Sequence, residues 1–141
     1  MINSHGKAFE DKIRRVAKSL DWYILRLPTP SGYYTMRQPG DFIFFTPTTT
    51  LIVECKATKD KKYNAKGMRQ LDKFQEFRNH TTQGSAVLIV DFVDEYSMHV
   101  YSYAFPEGIE DRVLTLDSSI KDLKELLLKV EKESANKVFK K

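Results

Sequence analysis

Leu51-Ile-Val-Glu54-Cys-Lys56 is the stretch on which the fold turns. Alternate residues of a β-strand share a face. Leu51, Val53 and Cys55 therefore point one way, and Ile52, Glu54 and Lys56 the other. An acid and a base thus sit side by side on a strand that is otherwise apolar. Charges in a mostly buried strand cost several kcal/mol unless they are paired or hold an ion. A plain Glu54–Lys56 salt bridge at the strand end is the simplest explanation, until the preceding strand is considered.

That strand, Asp41–Thr46, is almost wholly apolar after its first residue and follows Pro39-Gly40 directly. Pro47 and the threonines after it mark a turn, which folds 41–46 and 51–56 into a hairpin. Counting back from the turn, Asp41 arrives near the same end as Glu54 and Lys56. Two converging carboxyls with an amine beside them form a hard-cation site. Magnesium is typically held by one or two carboxylates, with waters and substrate phosphate completing its octahedron. A bound metal lowers the pKa of water and polarises a phosphoryl oxygen, and a lysine beside it orients the attacking water.

Outward from the hairpin, residues 5–20 read as a helix with Phe9, Ile13, Val16, Ala17 and Leu20 inward and Ser4 as N-cap. Glu10 lies at the edge of that apolar stripe, within reach of the site. Trp22–Leu27 reads as a strand, closed by Pro28-Thr29-Pro30-Ser31-Gly32. Lys59–Lys66 reads as a charged loop and Gly67–His80 as a helix. Ser85–Phe92 and Met98–Tyr103 are two further strands around an acidic turn, Asp91–Glu95, and 104–116 is irregular. A last helix is expected from a cap at Asp117 or Ser118 to about Lys132, with Ile120, Leu123, Leu127 and Val130 on one side and a frayed tail after it. The order predicts one α/β domain over 1–141, a sheet sandwiched by helices.

Composition bounds the function. With 41% hydrophobic and 30% charged residues the chain reads as globular. No apolar run approaches the roughly 18 residues that span a bilayer, and no secretory signal opens the chain. The single cysteine fits a reducing compartment, so the cytoplasm is expected. The net charge of +4 suits a polyanionic partner. Lys59, Lys61, Lys62, Lys66, Arg69 and Lys73 crowd the segment after Lys56, a field of one sign that phosphate binding requires. His5, His80 and His99 lack metal-ligand spacing, and the scattered glycines form no phosphate loop. Cys55, facing away from the acids, is a small core residue. Tyr33, Tyr34 and Tyr63 sit in loops where they could stack on exposed bases.

Gly6-x-x-x-Glu10, Pro39-Gly40-Asp41, twelve residues, Glu54-Cys55-Lys56 and then Gln70 resemble the PD-(D/E)XK nuclease superfamily. Within it the likeness is to Holliday junction resolvases. The Gly–Glu helix and the spacing look like the archaeal Hjc type, while Leu27-Pro28-Thr29-Pro30 and Gly84–Val90 look like the bacterial RecU type. The RecU-type stalk is missing, because only Ser31–Gly40 separates the Thr-Pro element from Asp41. The resemblance implies a restriction-endonuclease-like core (αβββαβ, mixed sheet flanked by helices) with an extra C-terminal helix. It implies a homodimer that cuts four-way DNA junctions with Mg2+ or Mn2+. Glu10, Asp41, Glu54 and the backbone carbonyl of Cys55 would hold metal, Lys56 would assist the water, and Gln70 would steady the site. Lys7, Arg14, Arg26, Thr29, Arg37, Thr58, Lys59, Lys61, Lys62 and Arg69 would contact DNA. Two other readings stay open: a restriction-like or repair nuclease on duplex or flap DNA, and an inactive DNA-binding module.

Overall fold

The computed structural model describes residues 4–27, 40–64, 84–96, 98–105, 113–115 and 120–139. The expected helix at Gly67–His80, the Thr-Pro loop and the expected caps Asp117 and Ser118 lie outside them.

Helix α1 (Ser4–Ser19) buries Phe9, Ile13 and Ala17, four residues apart, as its sequence spacing requires. It ends in a left-handed turn. Trp22 N–H donates to the Ala17 carbonyl at 3.2 Å and Asp21 N–H to that of Lys18 at 3.0 Å, with Asp21 at φ 62°. This Schellman pattern stops the helix and folds Trp22 back into the core against Ala17. The chain then runs as β1 (Tyr23–Arg26), β2 (Phe42–Phe45) and β3 (Thr50–Thr58). The β2–β3 turn closes through Thr46, whose N–H and hydroxyl both donate to the Thr49 carbonyl at 2.9 Å.

The main sheet has the order β1-β2-β3-β5-β6, with β5 Gly84–Val93 and β6 His99–Ala104. All neighbours are antiparallel except β3 and β5, which run parallel from Thr50↔Gly84 to Thr58↔Phe92. Every residue of β5 is buried, as suits a strand with the apolar run Ala86–Val90 at its centre. Leu51, Val53 and Cys55 pack with α1, while Ile52 joins Ala86, Leu88 and Val90 on the other face. Both described helices, α1 and the C-terminal α2 (Leu123–Phe139), share the first of these clusters and therefore cover the same face.

Five expectations are corrected. The Lys59–Lys66 loop contains a strand, β4 (Lys62–Asn64), and the irregular 104–116 contains β7 (Val113–Thr115); the two pair antiparallel. The strand expected over Ser85–Phe92 does hold Asp91, and the turn expected from Asp91 to Glu95 begins only later, since β5 runs to Val93. Helix α2 starts later and runs further than expected, since Asp122 accepts Lys124 N–H at 3.0 Å on Oδ1 and Leu126 N–H on its carbonyl. Ile120, assigned to the helix stripe, instead forms a β-bridge with Tyr101.

Candidate active site

The site lies where β2 opens beside the second half of β3. The register Phe42↔Val53 sets Asp41 next to Glu54. Asp41 is clamped there by main chain: its N–H donates to the Val53 carbonyl at 2.7 Å, and its Oδ2 accepts the Cys55 N–H at 2.8 Å. Gly40 is required by this approach, because a Cβ would fall 2.8 Å from the Val53 oxygen. The Pro39-Gly40-Asp41 pattern thus has a steric reason.

Glu54 is 3% exposed and Lys56 Nζ stands 3.6 Å from its Oε1. Burial pushes the Glu54 carboxyl up to about 8, the Asp41 charge and hydrogen bond push the same way, and Lys56 opposes them. Near neutral pH burial and the neighbouring Asp41 charge therefore favour the protonated form of Glu54 in the metal-free site. Glu10 reaches the same place from α1. Its carboxyl is raised first by burial and then by Asp41, against the pull of Arg26 and Lys56. Arg26 Nη2 lies 3.2 Å from Glu10 Oε1, yet that buried oxygen accepts no well-formed hydrogen bond.

These acids suit a hard divalent cation. Burial and a like charge disfavour the charged form of Glu54, a cost that a cation would relieve, and Glu10 carries a buried oxygen without a hydrogen-bond partner. Among the described residues no three His, Cys, Asp or Glu groups close into a cage on their own. Magnesium does not need one, because it keeps several waters and takes substrate phosphate. Cys55 is excluded as a nucleophile: its side chain packs in the α1-side core, and burial pushes its thiol well above the usual range.

The remaining expected residues divide. Lys7, Lys59, Lys61 and Lys62 are exposed, and Thr58 Oγ1 accepts the Asp60 N–H at 3.1 Å. Lys59 and Lys61 share their surface groove with Asp60, Asp94 and Glu95, which dilutes the basic field expected of them. Arg14 faces Asp11 at 3.8 Å. Thr29, Arg37, Arg69, Gln70, Tyr33 and Tyr34 lie outside the described residues. Tyr63 is corrected: it belongs to β4, packs on the Ile52–Leu88 cluster, and feels the charges of Lys56 and Glu54. Its period in the sequence is too short to mark it as a strand residue.

An antiparallel hairpin that delivers an acid beside E-x-K, on a mixed sheet backed by helices, is the restriction-endonuclease-like core. The family model described as "Archaeal holliday junction resolvase (hjc)" matches residues 1–136, and the chain belongs to that family. It is 28% identical over 127 residues to "Crossover junction endodeoxyribonuclease Hje" of Saccharolobus islandicus, covering 88% of this chain and 90% of the relative. The protein of the same name from Saccharolobus solfataricus is 27% identical over 136 residues, covering 95% of each. Among solved structures, Archaeoglobus fulgidus Hjc, a Holliday junction resolvase, superposes with a TM-score of 0.55 at 13% identity, over 86% of this chain and 98% of that one. At that identity the likeness is one of fold.

Proposed function

We propose that this chain, acting as a single nuclease domain and as a homodimer, resolves four-way DNA junctions by magnesium-dependent hydrolysis, manganese substituting. The observation that carries the proposal is the convergence of Asp41 and the buried Glu54 beside Lys56, in a chain of the Hjc family. Asp41, Glu54 and Glu10 hold the cation, with the Cys55 carbonyl as a further oxygen ligand. When bound, the cation supplies Lewis acidity at the scissile phosphate and a water of lowered pKa. Asp41 is the rigid ligand, because its position is fixed by two main-chain hydrogen bonds. Lys56, held 3.6 Å from Glu54, orients the attacking water and offsets negative charge gathering on the phosphate. Hydrolysis adds hydroxyl to phosphorus and releases the other strand end as an alcohol. Gln70 steadies this arrangement. Arg26, Lys7, Arg14 and the lysines after Thr58 hold the DNA backbone, and a symmetric pair of cuts requires the two sites that a dimer supplies. No described helix is long and apolar enough to cross a membrane, which suits an enzyme working on cytoplasmic DNA.

Labelled four-way junctions, flaps and linear duplex, each with magnesium or with chelator, test this. The wild-type chain should cut the junction preferentially and only with metal. Asp41→Asn keeps an oxygen for the Cys55 N–H, so it should bind the junction while cleavage falls on the order of 10³-fold. Retained cleavage in Asp41→Asn overturns the site, and equal cutting of linear duplex overturns the junction preference.

A further inference from the structure

We propose that the groove between the last turns of α1 and strand β1 is a second phosphate site, carrying the backbone of the DNA strand that runs away from the cut. It rests on the nuclease reading above. The groove is a cavity of about 600 Å³. Arg14, Arg15 and Lys18 line its helix side, Tyr23 and Arg26 its strand side, and Trp22 contributes to its apolar floor. Among the described residues four cations line it and no carboxylate does. Two of the four have acidic neighbours, Arg14 with Asp11 at 3.8 Å and Arg26 with Glu10 at 3.2 Å. Among the described residues Arg15 and Lys18 have no ion-pair partner. A concave wall of one sign focuses its field into the cleft, where a polyanion gains most.

A structural role accounts for only part of this. Lys18 in the last turn of α1 favours the helix dipole. That explains neither Arg15 nor the gathering of Arg26 from another element. A single free anion needs one or two cations. Here Arg14 and Lys18 are one turn apart, about 6 Å along the axis, on the scale of the spacing between successive phosphates of one strand. Tyr23 is 68% exposed at the rim, where its ring can lie against a sugar or an unstacked base. The groove adjoins the candidate active site through Arg26, which lines the one and pairs with Glu10 of the other. A strand held at Asp41 and Glu54 leaves along Arg26 and Arg14 towards Arg15 and Lys18.

The test is junction binding by the Asp41→Asn chain between 50 and 200 mM salt, with and without Arg15→Gln/Lys18→Gln. The exposed pair Lys124→Gln/Lys129→Gln on α2 removes the same charge elsewhere. Loss of two backbone contacts should flatten the slope of log K against log salt by about 1.8 and weaken binding about tenfold, with the α2 pair leaving the slope in place. A slope change no larger than that of the α2 pair overturns the proposal. Short duplexes with and without a 5′-phosphate separate backbone from strand end: equal weakening on both supports the backbone, and weakening confined to the phosphorylated duplex overturns it in favour of an end site. Wild-type cutting measured in parallel keeps the two readings apart. Cutting with an unmoved slope removes the groove alone; a flattened slope without cutting removes the nuclease reading and leaves the groove.

Discussion

Glu54 and Asp91 stand on neighbouring parallel strands, Asp91 only three register steps beyond Glu54, and both are almost fully buried at 3% and 2% exposure. Their partners differ. Both oxygens of Asp91 lie within 3.0 Å of His99 Nδ1, which carries the proton because a carboxylate only accepts. Beside them Tyr101 stacks on His99 and on Phe9, and its hydroxyl accepts from Lys12. Glu54 has a lysine at 3.6 Å and, against it, a second acid. A buried charge that is answered by its neighbours belongs to the framework. One confronted with a like charge is costly to the fold, and that cost is what a cation relieves.

The largest effect expected from this contrast is on cleavage. Glu54→Gln should lower the single-turnover rate on the order of 10³-fold, whereas Asp91→Ala should cut at a rate within a few-fold of wild type. Equal losses in both would erase the distinction.

Next comes pH. The folded-state pKa of Glu54, about 8, lies above its ordinary 4.5, so the fold favours the protonated form. The stability this contributes is complete below 4.5 and is lost as pH rises through about 8. Urea unfolding in chelator should therefore show the metal-free protein weakening from pH 5 to pH 8.5, and Glu54→Gln should flatten that decline. Saturating magnesium should release close to one proton per site at pH 7, measured calorimetrically in two buffers of different ionisation enthalpy. Release of none would mean that Glu54 is already ionised.

The smallest effect is structural. Asp91→Ala should cost about 1–3 kcal/mol in urea unfolding, since it removes a buried, hydrogen-bonded side chain from the middle of the sheet. Replacing His99 as well should recover part of that loss; strict additivity would mean the pair is not coupled.

Much of the hairpin was legible because its signals are local. Period-two alternation puts Glu54 and Lys56 on one face, and turn chemistry at Pro47–Thr50 brings Asp41 back to them. The Phe9, Ile13 and Ala17 spacing likewise announces α1. The start of the acidic turn was placed too early for an equally physical reason. Asp91-Phe-Val-Asp94-Glu95 looks like an acidic turn until His99, eight residues on, folds across to satisfy the first acid and lets the strand continue. Strands β4 and β7 are three residues each, too short for any period, and exist only because they meet. Arg15 and Lys18 look like an ordinary solvated helix face until β1 closes a groove around them.

By itself, then, the sequence determined which residues could form the acid–lysine corner, because strand alternation and turn geometry act between near neighbours. Only the tertiary structure decided what those residues experience. The pKa of Glu54 near 8, the main-chain clamp on Asp41 and the reach of Glu10 from another element all depend on burial and on distances through space. Such distances are set by packing between parts of the chain that are far apart in sequence.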